Sequence, residues 1–226
     1  MKRTHRPIAR LATLAAWLAC GAAFAESTDF VDLRRIGPLV GDASAGKAKA
    51  AVCSACHGAN GIAPASMFPN LAGQHAEYLY WQLAEFQREA RPDSPMTSQV
   101  ASLDPATLRD LAAYFASLPP PSPATAAADS RGAALYREGE PARGTPPCQG
   151  CHGADGGGHP WGEADAAYRT YPRLRAQHAD YVAQRLRDFR DGKHLSSSSD
   201  RIMAPIAKTL DDEAIEAVAA FIESGL

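Results

Sequence analysis

The sequence predicts an all-α protein whose two halves are copies of one small domain. The clearest sign of duplication is that Gln74–Tyr78 recurs, almost unchanged, as Gln177–Tyr181. A proline run at Pro119–Pro121, followed by an alanine-rich stretch, separates the two copies. Apolar residues recur at helical spacing in both halves, and no alternating run of β-branched residues indicates a sheet.

The composition is that of an ordinary folded protein. Of the 226 residues, 46% are hydrophobic and 21% are charged, which excludes a wholly disordered chain. The formal net charge of −2 offers no basic field for nucleic acid, so we expect no nucleic-acid partner. Five cysteines are too few for a small scaffold that depends on disulfides.

Residues 1–25 are predicted to be an export signal rather than part of the fold. A basic start is followed by an apolar run from Leu11 to Phe24, which is shorter than the roughly 20 residues of a membrane-spanning helix. Small residues end the segment, so we expect cleavage near Ala25 and a periplasmic mature protein. An uncleaved membrane anchor and a lipoprotein processed at Cys20 are the alternatives.

The remaining chain divides by composition and by the repeat. Consecutive prolines favour an extended conformation and cannot continue a helix, so the proline run indicates a semi-rigid linker. The predicted parts are an N-terminal extension (26–40), a first domain (41–118), a Pro/Ala-rich linker (119–128) and a second domain (129–226).

Each half is expected to contain three or so helices. The first helix of the first half covers the Ala- and Lys-rich stretch from Ser44 to Val52. An amphipathic helix is predicted over about 75–90, because apolar residues there recur every three to four positions. The last helix begins at Asp104-Pro105, an N-cap followed by a proline in the first turn, and Pro119 ends it. The second half repeats this plan.

One Cys-x-x-Cys-His motif stands in each half, formed by Cys53, Cys56 and His57 and by Cys148, Cys151 and His152. This spacing is the attachment signature of c-type haem. Two cysteines three apart on a helical turn reach two vinyl groups of one macrocycle, and the adjacent histidine can then ligate the iron.

Other uses of these cysteines fit the sequence less well. A zinc site would need the two pairs close together, yet they lie in different halves. A thioredoxin-type dithiol needs a βαβ context, and two structural disulfides would leave the histidines unexplained. Two equivalent motifs behind an export signal therefore favour two covalently bound haem groups.

The sixth iron ligand is predicted to be Met96 in the first half and Met203 in the second. Both precede the final helix of their half at equivalent positions, and both are expected to lie in loops. A thioether is a soft ligand that raises the reduction potential of haem iron. Met67 has no counterpart in the second half, so we expect it to fill the core.

The remaining histidines of the mature chain are expected to lie at the surface. His75 and His178 recur together at the start of the middle helix of each half, where they should face solvent. His159 and His194 occur only in the second half and are the alternative sixth ligands there.

Three segments around the motifs resemble the dihaem cytochrome c4 family. Gly41–Ala48 and Pro69–Gln74 are similar to its first half, and Gly132–Arg137 is similar to its second. The resemblance implies two class I cytochrome c domains, each with a His/Met haem, whose propionate edges lie close together. It also implies that Pro69 and Pro172 offer their carbonyls to the Nδ1–H groups of the haem histidines.

The resemblance further implies a periplasmic electron carrier without catalysis of its own, because a six-coordinate iron has no open position. Such a carrier associates loosely with the inner membrane and serves redox partners such as a membrane cytochrome complex or a terminal oxidase. The alternatives are a cytochrome subunit of a periplasmic dehydrogenase and a peroxidase with an open iron. Three segments depart from the family pattern and leave the partner open: residues 26–40, the longer 156–171 segment and Arg173–Arg175.

Overall fold

The computed structural model describes residues 1, 30–91, 94–123, 130–193 and 195–226. The predicted export signal after Met1, residues 124–128 of the predicted linker and His194 lie outside these residues. The described chain is helical, with only isolated β-bridges, which confirms the all-α prediction. In these same residues no helix has the length and apolar character needed to cross a membrane.

Five α-helices form the first domain over its described residues. Asp42 caps the first of them, accepting hydrogen bonds from the amides of Ser44 and Ala45. Asp104 caps the last, and the following proline stands in its first turn, as the sequence predicts. The helices are α1 (Ala43–Lys49), α2 (Ser54–His57), α3 (Ala76–Gln87), α4 (Met96–Val100) and α5 (Pro105–Ser117).

Five further α-helices form the second domain over its described residues, in the same order. Ser130 caps the first by accepting from the Ala133 amide, and Asp211 caps the last by accepting from the Ala214 amide. The helices are α6 (Arg131–Glu138), α7 (Gln149–His152), α8 (Ala179–Arg190), α9 (Ser198–Ala207) and α10 (Asp212–Gly225).

In each domain the first helix crosses the last one closely, and a glycine makes this possible. A Cβ at Gly46 of α1 would lie 2.0 Å from the carbonyl oxygen of Asp110 on α5. A Cβ at Gly132 of α6 would lie 2.1 Å from the carbonyl oxygen of Ala217 on α10. The crossings close the two apolar cores, which include Phe115 and its counterpart Ile222.

The segments before the final helices are helical, so the prediction that they are loops was wrong. Pro95 supplies the N-cap position of α4, and Met96 is the first residue of that helix. Ser197 and Asp200 form a capping box at the start of α9, which carries Met203. Because this Ser-x-x-Asp spacing is a known helix-start signal, α9 could have been predicted from the sequence.

The two domains contact each other through a pseudo-symmetric set of hydrogen bonds. The Gln74 side chain accepts from the Arg173 amide and donates to the Arg173 carbonyl, both at 2.8 Å. The equivalent Gln177 accepts from the Asn70 amide at 2.8 Å and donates to the Asn70 carbonyl at 3.0 Å. Each domain therefore clamps the backbone of the other at equivalent points.

The N-terminal extension runs across both domains. Val31 exchanges backbone hydrogen bonds of 2.9 and 3.0 Å with Ser196 and Ser198 of the second domain. Leu33 is buried, and its amide donates to the Ser198 hydroxyl. Further along, the Leu39 amide donates to the Glu77 carboxylate of the first domain. Residues 30–40 thus form a strap between the domains.

Candidate functional site

Each Cys-x-x-Cys-His motif forms a single helical turn, α2 in the first domain and α7 in the second. All four cysteines of these turns are unpaired. Burial raises the pKa of the Cys53 thiol and raises that of Cys148 to about 11. A disulfide oxidoreductase needs a reactive thiolate with a lowered pKa, so the raised pKa values of the half-buried Cys53 and Cys148 thiols do not fit that chemistry.

The two motif histidines have equivalent hydrogen bonds. His57 Nδ1 lies 3.0 Å from the Pro69 carbonyl oxygen, and His152 Nδ1 lies 3.0 Å from the Pro172 carbonyl oxygen. The expected role of both prolines is therefore confirmed, although Pro172 follows its histidine by 20 residues and Pro69 by 12. A carbonyl can only accept, so the hydrogen of each ring is on Nδ1.

Burial prepares both rings for ligation. It is the main cause that lowers the pKa of His57 and of His152, and it acts against the proline hydrogen bonds, which raise the pKa. A neutral ring protonated on Nδ1 has its lone pair on Nε2. No described residue makes a hydrogen bond to either Nε2 atom, so both lone pairs are available to a metal.

The three methionines considered as ligands differ in their surroundings. Met96 is half-buried and packs in a cluster with Phe86, Val100 and Leu108. Met203 is half-buried in α9. Met67 is 69% exposed, so the prediction that it fills the core was wrong.

The prediction that His75 and His178 face solvent was also wrong. His178 Nε2 lies 3.0 Å from the Ala63 carbonyl of the first domain, and its Nδ1 lies 3.1 Å from Glu223. His75 Nε2 is buried with no hydrogen-bond partner in the described chain. Burial, reinforced by Arg173, lowers the pKa of His75 to about 4. Both histidines are interdomain residues, a role that only the contact between the domains reveals.

The longer segment of the second half holds a cluster of aromatic rings. His159 stacks on Tyr168 with 3.7 Å between ring centroids, and its Nδ1 is 3.2 Å from the Trp161 amide. Tyr171 connects the cluster to His152, at 6.4 Å between centroids. His159 is thus engaged within its own segment.

Two arginines that the sequence analysis missed lie over equivalent phenylalanines. The guanidinium carbon of Arg91 lies 4.3 Å from the centroid of Phe86, and that of Arg185 lies 4.8 Å from the centroid of Phe189. The phenylalanines correspond in the repeat, but the arginines do not, because Arg91 follows α3 whereas Arg185 lies within α8. No alignment of the halves could therefore have paired them.

The residues present fit a haem carrying acidic side groups. Each site offers two thiols and an imidazole with a free Nε2, and each domain carries a methionine on the helix before its last one. In addition, Arg91 Nε is buried, and no described group accepts its hydrogen. A carboxylate would satisfy this N–H with a charge-assisted hydrogen bond.

Comparisons with known proteins agree with this donor set. The Cytochrome c family profile matches residues 43–119 and 130–225. Cytochrome c4 of Pseudomonas aeruginosa is 42% identical over 84% of this chain and 92% of its own length. The crystal structure of reduced cytochrome c4 from Pseudomonas stutzeri matches with a TM-score of 0.72 and 36% identity, over 82% of this chain and 99% of its own. A thiosulfate dehydrogenase electron acceptor of Stutzerimonas stutzeri is 31% identical over 98% of this chain and 95% of its own length.

Proposed function

Since this chain belongs to the cytochrome c4 family of dihaem electron-transfer cytochromes, we propose that it carries single electrons between respiratory-chain partners in the periplasm. It binds two haem c groups covalently, one in each domain. Bound haem supplies an iron that accepts and releases one electron. The family members are electron carriers rather than enzymes.

The ligands that we propose follow the two equivalent sites. The four cysteines of the motifs form the thioether bonds, and the iron ligands are His57 with Met96 and His152 with Met203. The observation that carries the histidine assignment is the matched pair of bonds from Nδ1 to a proline carbonyl, each 3.0 Å long. Met96 and Met203 are proposed from their equivalent positions before the final helices. Such a bond fixes the imidazole orientation and strengthens its donation to a metal.

The interdomain hydrogen bonds support transfer between the two halves. Asn70 and Arg173, whose backbones are clamped by the opposite domain, directly follow Pro69 and Pro172. The loops that orient the two histidines are therefore held at fixed positions relative to each other. A fixed arrangement lets an electron pass from one half to the other without a change in fold.

The ligand assignment is tested on the mature protein produced with its haem. Denatured intact mass should exceed that of the polypeptide by two haem groups, and acid-acetone should extract none. The oxidised spectrum should show the weak long-wavelength band of iron–sulfur bonding. Extractable haem would contradict the thioether bonds, and a missing band would contradict the methionine ligands.

The partner assignment is tested by kinetics. We expect the reduced protein to be oxidised by membranes that contain a terminal oxidase, and salt to wash the protein from those membranes if its association is peripheral. N-terminal sequencing should find a chain that starts after Ala25, whereas a lipid-modified Cys20 would contradict release into the periplasm.

A second candidate partner is a periplasmic dehydrogenase. The similarity to a thiosulfate dehydrogenase electron acceptor extends over 98% of this chain. If the chain has that role, thiosulfate dehydrogenase should reduce it in stopped-flow mixing faster than it reduces a cytochrome c4 control. Equal rates would favour the general carrier.

A further inference from the structure

A buried pair of acidic side chains, neither of them a proposed ligand, lies between the two domains. Glu85 of α3 is 2% exposed, and Asp200 in the first turn of α9 is 4% exposed. Both are hydrogen-bonded to the hydroxyl of Ser196, which lies 3.2 Å from Glu85 Oε1 and 3.3 Å from Asp200 Oδ2. Two buried carboxyl groups therefore share one hydroxyl.

The hydrogen count favours a proton on Glu85. A serine hydroxyl has one hydrogen, so it can donate to only one carboxylate at a time. Asp200 Oδ2 also accepts from the Ser197 amide at 3.0 Å and the Ser197 hydroxyl at 2.8 Å. If Glu85 carries a proton, it donates to Ser196, Ser196 donates to Asp200, and every group is satisfied.

The charged groups around Glu85 do not compensate a negative charge on its carboxylate. On its own helix the neutral Gln82 donates to it at 3.1 Å, while Arg91 donates to Gln82 rather than to Glu85. Arg91 and Arg185 favour the ionised form and Asp200 opposes it. Burial and Asp200 outweigh the arginines and raise the pKa of Glu85.

The corresponding residue of the second domain is in the opposite state. Asp188 occupies in α8 the position of Glu85 in α3, but it forms ion pairs of 3.2 Å with Arg185 and with Lys193. Although burial raises the pKa of Asp188, the hydrogen bond from Gln184 and the charge of Arg185 lower it by more. The repeat therefore provides a matched control.

We propose that Glu85 is a proton-binding site whose occupancy is coupled to electron uptake at the haem centres. The position supports this role: Phe86, next to Glu85, packs in one cluster with Met96, and Asp200 precedes Met203 by one helical turn. Uptake of one electron by a bound haem would add one negative charge to the protein, and in the pH range in which Glu85 is ionised one proton would move from water to its carboxylate. The inference assumes the haem content given above but not the identity of the partners.

The test is a series of redox titrations across pH on the wild-type holoprotein and on Glu85→Gln and Asp188→Asn. In the wild type, at least one potential should fall as pH rises through the range in which Glu85 ionises. The limit for one proton per electron is about 59 mV per pH unit, the tenfold change in proton concentration converted for one electron. Glu85→Gln should lose this slope, and Asp188→Asn should keep it.

Infrared difference spectroscopy provides a second measurement that does not depend on a variant's stability. Reduction of the wild type should increase the signal of a protonated carboxyl group, and Glu85→Gln should lack this change. A slope retained in Glu85→Gln, a slope lost in Asp188→Asn, or no carboxyl signal at any pH would overturn the proposal. Normal haem content and reducibility in those samples would leave the proposed function intact.

Discussion

At the scale of the residue, the environment of a side chain decides the state of groups that look alike in the sequence. His57 and His152 are both neutral and protonated on Nδ1, because each is buried beneath a proline carbonyl. Glu85 and Asp188 occupy equivalent positions, yet of the two only Asp188 forms ion pairs with described residues. A repeated sequence thus gives two equivalent histidines but two different acids.

The methionine assignment predicts how ligand substitutions change the potential. Met96→His or Met203→His should keep its haem low-spin but lower its potential, because imidazole stabilises ferric iron more than a thioether does. Spectroelectrochemical titration measures this change. Met67→Leu is the control and should leave both potentials and the iron–sulfur band unchanged, since Met67 is exposed.

The second haem tests this assignment more strictly, because His159 and His194 are alternative ligands in that half. If Met203→Leu leaves the spectrum unaltered while His159→Ala or His194→Ala changes it, the second iron has two histidine ligands. Its potential would then be low, and the assignment of Met203 would be wrong.

A backbone strain predicts a stabilising substitution. Ala176 has φ of +54°, and its counterpart in the repeat, Gly73, has φ of +69°. A left-handed backbone conformation destabilises a non-glycine residue by about 1–2 kcal/mol. Because glycine loses more conformational entropy on folding, a substitution by glycine recovers only about half of that free energy. Ala176→Gly should therefore raise the free energy of unfolding by about 0.5–1 kcal/mol, measured by urea titration.

The reverse change is the control for this prediction. In Gly73→Ala the new Cβ would lie 2.7 Å from Pro120 Cβ in addition to the unfavourable φ. We expect a loss of more than about 1 kcal/mol. If the two substitutions changed the free energy of unfolding by the same amount, the backbone at Ala176 would not be strained.

At the scale of the element, short segments determine where the proposed sulfur ligands lie. Pro95 and the Ser197–Asp200 capping box start the helices that carry Met96 and Met203. The strap at residues 30–40 is bonded to the same stretch, through Ser196 and Ser198. The start of α9 is therefore held by the capping box from within and by the strap from outside.

Removing the buried anchor of the strap should destabilise the protein. Leu33 is 3% exposed, so Leu33→Ala should lower the free energy of unfolding by about 2–3 kcal/mol. For a protein of this size, thermal unfolding should then begin about 5–10 °C lower. Val40→Ala, in the same strap but 82% exposed, should change stability by less than about 0.5 kcal/mol. Equal stability of the two variants would contradict an anchoring role for Leu33.

At the scale of the whole molecule, the two domains are joined as pseudo-symmetric partners. Besides the glutamine clamps, the Asn70 side chain donates to the Ala176 carbonyl, and the equivalent Arg173 side chain donates to the Gly73 carbonyl. Arg173 departs from the family pattern, but it makes the corresponding contact between the domains. The departure therefore serves the interdomain contact in this structure.

The glutamine clamps predict coupled unfolding of the domains. Gln74→Ala and Gln177→Ala each remove two hydrogen bonds between the domains and leave the backbone groups of the opposite domain without these partners, which should cost about 2–4 kcal/mol. Calorimetry should show equal losses for the two variants and separate domain transitions in the double variant. Gln99→Ala, at an exposed site, should leave the transition unchanged. A single transition in the double variant would mean that other contacts are sufficient to couple the unfolding of the two domains.

The sequence by itself determined the duplication, the helical class and the two Cys-x-x-Cys-His sites, because these depend on internal repetition and local spacing. The proline partners of the two histidines were implied by the resemblance to the cytochrome c4 family. The tertiary structure decided what depends on contacts between distant residues. It placed His75 and His178 between the domains, and it placed Arg91 and Arg185 over equivalent phenylalanines although the two arginines do not correspond in the repeat. It also placed the strap across both domains and buried Glu85 beside Asp200. Periodicity and motifs encode a residue's own helix and its near neighbours, whereas the pKa of a buried acid depends on charges that only the packing of two domains brings together.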